Sequence, residues 1–168
     1  RDYYASRGLG DVYKRQDMEL LSSYYQKEIT AMHIAVRTSL PDNPLFIDGN
    51  AEQLGKTIMS LLNNGMYAIA KKYGKKAYPA EIGLALESKD GQAVIRLYDN
   101  GVGIEQSILD KIFDPFFTTK TTGEAAGIGL YLSKEIILNH HGQIAVRSEK
   151  DELTEFTITL PLWEEKSV

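Results

Sequence analysis

Alternating apolar and polar positions predict that much of this chain forms strands. The alternation occurs in six segments, at residues 31–40, 45–47, 81–88, 93–98, 143–149 and 154–160. A strand turns successive side chains to opposite faces, so each segment can present one apolar face to a core. In the first segment that face would carry Met32, Ile34 and Val36, with His33 on the outer side. Asp90-Gly91, typical of a tight hairpin turn, separates the third and fourth segments. The pattern predicts an antiparallel-rich sheet with one buried side.

A repeat of 3.6 residues predicts a long helix over 51–72. Asn50, with Gln53 three residues later, is typical of a capping box at a helix start. The apolar sector of this helix contains Leu54, Ile58, Leu61, Leu62, Gly65 and Ile69, and its border carries Thr57, Ser60, Asn64 and Lys71. Shorter helices are predicted near 106–113 and from the glycines at 127–129 to about His141. Because these helices must cover the apolar side of the sheet, the expected fold is a two-layer α/β sandwich, mixed but mostly antiparallel.

The chain of 168 residues is expected to contain one folded domain, at 31–168. Residues 1–16 show no helical or strand period, and we expect a non-native or disordered leader there. Residues 17–30 place Met18, Leu21 and Tyr25 on one helical face, so this segment is expected to be the tail of an upstream helix.

Composition excludes several classes of function. Lysine and arginine together number 19 against 23 acidic residues, so a nucleic-acid or anionic-membrane surface is not expected. The absence of cysteine excludes disulfides, thiolate metal sites and a cysteine nucleophile, and three scattered histidines do not predict a zinc site. No apolar run approaches membrane-spanning length, so a cytoplasmic domain is the expectation.

The segment 99–104, Asp-Asn-Gly-Val-Gly-Ile, is the first candidate site. Asp99 follows a strand whose inner face is apolar, and period-two alternation places its carboxylate on that same face. A carboxylate directed at a core needs hydrogen-bond donors, and Gly101 and Gly103 would let a flat ring approach the backbone. These features suit the edge of an adenine base. An ordinary hairpin turn is the alternative, and the sequence leaves both interpretations open.

Two other features suit a polar ligand. Gly127-Ile128-Gly129-Leu130 leads into a helix, and free amides at a helix start favour phosphate, although such a start can also bind nothing. Asn64, on the border of the long helix, could hold a ligand over the sheet. A solvated helix asparagine is the alternative interpretation.

In this order, four segments resemble the ATP-binding catalytic domain of bacterial sensor histidine kinases, within the superfamily of gyrase, chaperone and mismatch-repair ATPases. The resemblance covers about 31–162 and rests on Leu61-Leu62-Asn63-Asn64, 99–103, 113–120 and 127–130, with the helix end His141-Gly142. It implies the Bergerat-type fold, with ATP and Mg²⁺ as cofactors.

The resemblance also implies roles for individual residues. Asp99 would accept from the adenine amino group, Gly101, Gly103 and Ile104 would line the base, and the Asn64 oxygen would coordinate Mg²⁺. Amides of the segment Gly127, Ile128, Gly129 and Leu130 would bind the phosphates. Lys120, with Thr118 or Thr119, would reach the phosphates from a mobile loop, whose near end Phe113, Phe116 and Phe117 would anchor.

Three positions depart from the family pattern. Ser60 stands where hydrolysing relatives carry a glutamate, and serine is a poor general base at neutral pH. Tyr67 replaces a basic residue that faces phosphate in many members, and Lys71, one turn further on, could compensate. Ala125 or Ala126 occupies the first glycine position of the second glycine segment.

The resemblance implies a histidine kinase domain that phosphorylates a histidine on an upstream dimerisation domain, with a response-regulator receiver as the next acceptor. His33, His140 and His141 are interpreted as structural, so the phosphoacceptor would lie outside this chain. A degenerate nucleotide-sensing module and an anti-sigma-type serine kinase remain alternatives, whereas Ser60 disfavours an ATPase machine.

Overall fold

The computed structural model describes residues 26–74, 79–118 and 129–163. Within these residues five strands form one sheet in the order β1-β2-β3-β5-β4. The strands are β1 (Ala35–Ser39), β2 (Glu81–Lys89), β3 (Gln92–Asp99), β4 (Gln143–Glu149) and β5 (Leu153–Pro161). β1 pairs with β2 in parallel, and the other three pairs are antiparallel. The predicted mixed, mostly antiparallel sheet is confirmed.

Three α-helices accompany the sheet in the described part of the chain, α1 (Gln26–Ala31), α2 (Ala51–Tyr73) and α3 (Gly129–Asn139). α2 and α3 cover the same face. Their residues Leu54, Ile58, Leu61 and Ile137 share one core with Leu84, Leu86, Ile95, Leu97, Phe156, Ile158 and Leu160 of the strands. Burying these apolar side chains on one side of the sheet produces the two-layer α/β sandwich that the sequence predicts.

The predicted N-cap of α2 is confirmed, but the reciprocal bond of a capping box is replaced, because the Asn50 amide donates to His140 Nε2. The Asn50 side chain accepts a hydrogen bond of 2.9 Å from the Gln53 amide, and Gly74 ends the helix with a φ of +57°. Thr57, which we predicted on the border of the apolar sector, is buried instead. Its hydroxyl donates to the Gln53 carbonyl one turn earlier, so it enters the core without an unpaired polar group.

The predicted strand over 31–40 is wrong at its beginning. α1 continues to Ala31, and His33 lies in the turn that follows, with a φ of +53°, rather than on the outer face of a strand. Only Ile34 of the predicted inner face is buried, while Val36 is 40% exposed. β1 is an edge strand, exposed along its whole length, so apolar alternation alone did not establish burial there.

Two further elements differ from the prediction. Residues 45–47 form no strand; Phe46 instead accepts one backbone hydrogen bond from Trp163 at the end of the described chain. The predicted helix near 106–113 is a single 3-10 turn, Gln106–Ile108, followed by turns. In residues 106–113 the side chain of Ile112 is buried in the core although the backbone around it forms turns instead of a helix.

Candidate functional site

Asp99 is the last residue of β3 and is 5% exposed. Its side chain lies on the inner face with Ala93, Ile95 and Leu97, as the alternation predicted. Opposite it is Gly65 of α2, where a β-carbon would stand 3.3 Å from Asp99 Oδ2. A small, partly open cavity surrounds the carboxylate, lined by Leu61, Leu62, Gly65, Ile82, Leu97, Tyr98, Asp99 and Phe156. The only charged group in this lining is the carboxylate.

The hydrogen bonding of Asp99 is incomplete within the described residues. Oδ1 accepts from the Gly101 amide at 2.9 Å, and no donor from the described residues reaches Oδ2. Burial raises the Asp99 pKa to about 7, against the opposing effects of the Gly101 amide and the Lys72 charge. A buried acceptor without a donor is costly, so this oxygen is suited to an incoming hydrogen-bond donor.

Asn100 holds the start of the loop in place, a role that sequence reasoning missed. Its side chain accepts from the Glu81 amide at 2.8 Å and donates to the Pro79 carbonyl at 2.6 Å. Its own carbonyl accepts from Lys72 Nζ and the Tyr73 hydroxyl at the end of α2. The segment is therefore not a hairpin turn: β3 pairs with β2 before it and with β5 much later in the chain, and the loop is fixed against α2.

Gly101 and Gly103 are both required by the packing of this loop. A β-carbon on Gly101 would collide with Ala68 of α2. Gly103 has a φ of +65°, and a β-carbon there would collide with the Glu149 carbonyl. Both glycines thus let the loop pass between α2 and the β4–β5 turn, where Val102 bonds to Ala68 and to Asp151. Their predicted contact with a base remains a prediction.

Two more buried polar residues lie beside Asp99, and sequence reasoning missed both. Thr154 of β5 is in register with Asp99, and Ser148 of β4 is in register with Thr154. Each occupies the inward parity of its strand, with Phe156 and Val146 two positions away. The period-two alternation of these strands therefore places both side chains on the inner face, and this was the sequence signal that could have identified them. Asp99, Thr154 and Ser148 therefore form a row of three polar side chains at the end of the apolar face of the sheet.

Asn64, Tyr67, Lys71 and Ser60 all lie on α2, as predicted. Asn64 is half-buried and immediately precedes Gly65, Tyr67 is half-buried, and Lys71 is exposed. Ser60 Oγ is 3.0 Å from the position that a β-carbon on Gly129 would occupy. The start of α3 therefore lies against α2 one turn from Asn64, so two segments distant in the sequence meet.

Several predicted site residues lie outside the described residues, namely Thr119, Lys120, Gly127 and Ile128, with Ala125 and Ala126. Thr118 is exposed at the end of the described segment, and Leu130 packs against the core. Phe113 contacts Phe156 edge-on, with ring centroids 6.3 Å apart, and Phe117 also packs on the core. Phe116 is 71% exposed, so the prediction that it anchors this segment is wrong.

The histidines at the end of α3 have structural roles, as predicted. His140 is buried; its Nε2 accepts from the Asn50 amide at 2.9 Å, and its Nδ1 is 2.6 Å from the Ile136 carbonyl. These contacts require the neutral tautomer with the proton on Nδ1. His141, with a φ of +59°, ends the helix in a Schellman motif, in which the His141 and Gly142 amides bond to Leu138 and Ile137.

No helix in the described residues is long and apolar enough to cross a membrane. They also contain no group of three or more histidine, aspartate or glutamate side chains suited to a metal ion.

The described residues thus form an α/β sandwich in which a buried carboxylate at the end of β3 faces a glycine of α2. The chain belongs to the family of histidine kinase-, DNA gyrase B- and HSP90-like ATPases, whose sequence profile matches residues 49–164.

Three similar proteins illustrate this membership. Sporulation kinase D of Bacillus subtilis is 34% identical over 123 residues, which are 73% of this chain and 22% of that protein. The histidine-protein kinase AtoS of Escherichia coli is 39% identical over 122 residues, 72% of this chain and 19% of that protein. The catalytic domain of histidine kinase ThkA has the same fold, with a TM-score of 0.71 at 23% identity, covering 86% of this chain and 89% of that domain. The chain thus spans about a fifth of the length of these two curated relatives.

Proposed function

We propose that this chain is the ATP-binding catalytic domain of a two-component sensor histidine kinase. In the parent protein it delivers the γ-phosphate of Mg·ATP to a histidine on an upstream dimerisation domain, for relay to the receiver of a response regulator. The domain works in the cytoplasm and has neither nucleic-acid nor membrane contacts of its own. The family membership and the kinase relatives support this proposal.

The observation that carries the proposal is the Asp99 carboxylate. One oxygen is held by the Gly101 amide, and the other lies in an apolar cavity with no donor from the described residues. The exocyclic amino group of adenine is a donor on a flat apolar ring, which matches one acceptor in an apolar slot. Gly65 leaves room beside this oxygen, since it carries no side chain.

The chemistry of the chain's own residues fits magnesium as part of the substrate complex. Asn64 supplies an amide oxygen, a hard ligand of the type that Mg²⁺ prefers, and Mg²⁺ in such sites is held by few protein ligands together with phosphates. When bound, the ion neutralises phosphate charge. The amides of the Gly127, Gly129 and Leu130 segment, with Lys120 and Thr118 or Thr119, would hold the phosphates by positioning and charge, which is most of what phosphoryl transfer requires.

Ser60 bears on the fate of the phosphoryl group. A serine hydroxyl at neutral pH does not activate water efficiently, so hydrolysis is expected to be slow and the γ-phosphate is kept for the protein acceptor. Ser60 and Tyr67, as departures from the family pattern, also favour a second candidate function. In it the domain binds nucleotide to change a protein contact and transfers no phosphate.

The test is labelling of the parent protein with γ-labelled ATP. Label that is stable to alkali and lost in acid identifies phosphohistidine and supports the proposal. Acid-stable label would indicate a serine kinase, and nucleotide binding without label would favour the sensing module. Calorimetric titration of this chain with a non-hydrolysable ATP analogue measures the binding step by itself, and no binding by a folded chain would refute the proposal.

A further inference from the structure

The backbone carbonyl of Asn100 accepts two side-chain hydrogen bonds from the end of α2. Lys72 Nζ is 3.1 Å from this oxygen, and the Tyr73 hydroxyl is 2.9 Å from it. Both side chains are half-buried, and Tyr73 is the last residue of the helix. A carbonyl oxygen has two lone pairs, so these two donors use its full capacity. The end of the long helix therefore sets the orientation of this carbonyl group.

The same peptide group carries the amide that binds the buried carboxylate. The peptide between Asn100 and Gly101 contains the carbonyl just described and the Gly101 N–H, and in a planar trans peptide these two groups point in opposite directions. The Gly101 N–H donates to Asp99 Oδ1 at 2.9 Å. Holding the carbonyl toward the end of α2 thus holds the amide toward the carboxylate, and Oδ2 remains on the side of Gly65.

Glycine makes this orientation dependent on outside support. Because Gly101 has no side chain, the peptide before it can rotate at low steric cost. Rotation by half a turn would direct the Asn100 carbonyl oxygen at the Asp99 carboxylate, so that two acceptors would face each other without a proton between them. A larger residue cannot stiffen the backbone at position 101, since its β-carbon would collide with Ala68. The orientation must therefore be maintained by hydrogen bonds to the carbonyl.

Lys72 makes a further contact that Tyr73 does not share. Its ammonium group donates to the Asp151 carbonyl at 2.6 Å, in the turn between β4 and β5. The Asp151 amide in turn donates to the Val102 carbonyl at 2.7 Å. One side chain thus connects α2, the loop after β3 and this turn. Loss of Lys72 should therefore disturb the loop more than loss of the Tyr73 hydroxyl.

Lys72 also brings a positive charge to this region. Burial raises the Asp99 pKa, and the Lys72 charge acts in the opposite direction. In the turn between β4 and β5, a hydrogen bond with Glu149 raises the Glu152 pKa, and Lys72 opposes that rise as well. Glu81 of β2 pairs with an arginine of β1 on the outer face of the sheet. The ammonium group therefore lies among carbonyls and carboxylates, a setting that favours a cation over a neutral side chain.

We propose that Lys72 is a positioning residue of the nucleotide site. With Tyr73 it fixes the peptide between Asn100 and Gly101. The amide of this peptide then occupies one oxygen of Asp99, and the other oxygen stays available to the amino group of the base. Lys72 acts on the base through the main chain. The inference rests on the proposed function, because it assumes that a base with an amino group occupies the cavity at Asp99.

The first experiment is a calorimetric titration of Lys72→Met with a non-hydrolysable ATP analogue. Methionine keeps an unbranched apolar side chain and removes the ammonium group, so affinity should fall about tenfold. Lys72→Arg, which keeps donors and charge, should retain most of the affinity. Lys56→Met is the matched control, because Lys56 is an exposed lysine near the other end of α2 and its loss changes the net charge equally. It should bind as the wild type does.

The second experiment follows the Gly101 amide proton by NMR in the ligand-free chain. In the wild type its chemical shift should change strongly as pH passes the Asp99 pKa of about 7, because a hydrogen bond to an ionised carboxylate is the stronger one. In folded Lys72→Met this change should be smaller, and adding Tyr73→Phe should remove most of it. A general loss of stability would leave the titration of this amide in the folded molecule unchanged.

Tyr73→Phe alone keeps the test decisive where Lys72→Met does not fold. It removes one donor to the Asn100 carbonyl and should weaken both the affinity and the Gly101 titration, to a smaller extent. A wild-type Gly101 titration in the folded variants, or equal affinities for Lys72→Met and Lys56→Met, would overturn the inference alone. A folded wild-type chain that does not bind the ATP analogue would overturn the proposed function, and this inference with it.

Discussion

Oδ2 of Asp99 faces Gly65 across the gap between β3 and α2, and a β-carbon at Gly65 would stand 3.3 Å from it. That distance is tighter than ordinary van der Waals contact, so any side chain at this position would press on the carboxylate. The absence of one leaves a buried acceptor with open space beside it, and this combination distinguishes the site from an ordinary strand end. The predictions below test its parts.

Replacing Asp99 by asparagine should weaken adenine-nucleotide binding while the fold is kept. The amide presents an NH₂ group where the amino group of the base needs an acceptor, and a mispaired buried contact costs about 1 to 3 kcal/mol. Affinity should therefore fall by about five- to 150-fold, as measured by calorimetry. Asp90→Asn, at the exposed turn between β2 and β3, removes the same charge and is the control. Equal affinities for the two variants would contradict the assignment.

The stability of the ligand-free protein should depend on pH through Asp99. Its pKa is about 7 in the folded protein against 3.8 for an aspartate exposed to water, so between these values the native state holds a proton that the unfolded chain releases. The free energy of unfolding should therefore fall as pH rises through about 7, by a few kcal/mol in total. Urea titrations across this window measure it. Asp99→Asn should lack this component, and parallel pH profiles for the two proteins would refute the raised pKa.

Asn64→Ala should remove the effect of magnesium on nucleotide binding and leave metal-free binding in place. The side-chain oxygen is the only ligand that we assign to the ion from α2, and its loss leaves the adenine contacts at Asp99 intact. Titrations with and without Mg²⁺ measure the difference. Asn63→Ala, at the exposed neighbouring residue, is the control. A magnesium dependence equal to that of the wild type would exclude this role for Asn64.

Gly103→Ala should destabilise the fold more than Gly91→Ala. Both glycines have positive φ, at +65° and +73°, so both alanines incur a conformational cost of about 1 to 2 kcal/mol. At Gly91 the space is open, whereas at Gly103 the new methyl group would collide with the Glu149 carbonyl. Thermal or urea unfolding compares the two variants. Similar losses of unfolding free energy in the two variants would show that the collision with the Glu149 carbonyl adds no destabilisation at Gly103.

His140→Ala should lower the free energy of unfolding by about 2 to 3 kcal/mol, because the Asn50 amide loses its acceptor and a buried ring is removed. The same urea titration measures this loss. His141→Asn is the control, since residue 141 is exposed and asparagine tolerates its positive φ. A loss at 141 as large as that at 140 would contradict the bridging role of His140 between α3 and the start of α2.

Local patterns predicted the elements that are long and regular. The capping of α2, the hairpin turn at Asp90-Gly91 and the inward position of Asp99 follow from spacings of two, three and four residues, which are already present in the unfolded chain. The predictions failed where burial is not a local property. Val36 alternates correctly but lies on an edge strand, and the segment after Gln106 has apolar residues in turns instead of a helix.

The sequence by itself determined the sandwich, the family and the residues that were candidates for a nucleotide site. Only the tertiary structure placed Gly65 opposite Asp99, Ser60 against Gly129 and Ser148 within reach of Ile104 and Thr154. These contacts join residues between 34 and 69 positions apart or on different strands, and their geometry depends on how β4, β5 and α2 pack together. The Ser148 hydroxyl bonds to the Ile104 amide and to the Thr154 hydroxyl, and these partners become neighbours only once the chain has folded.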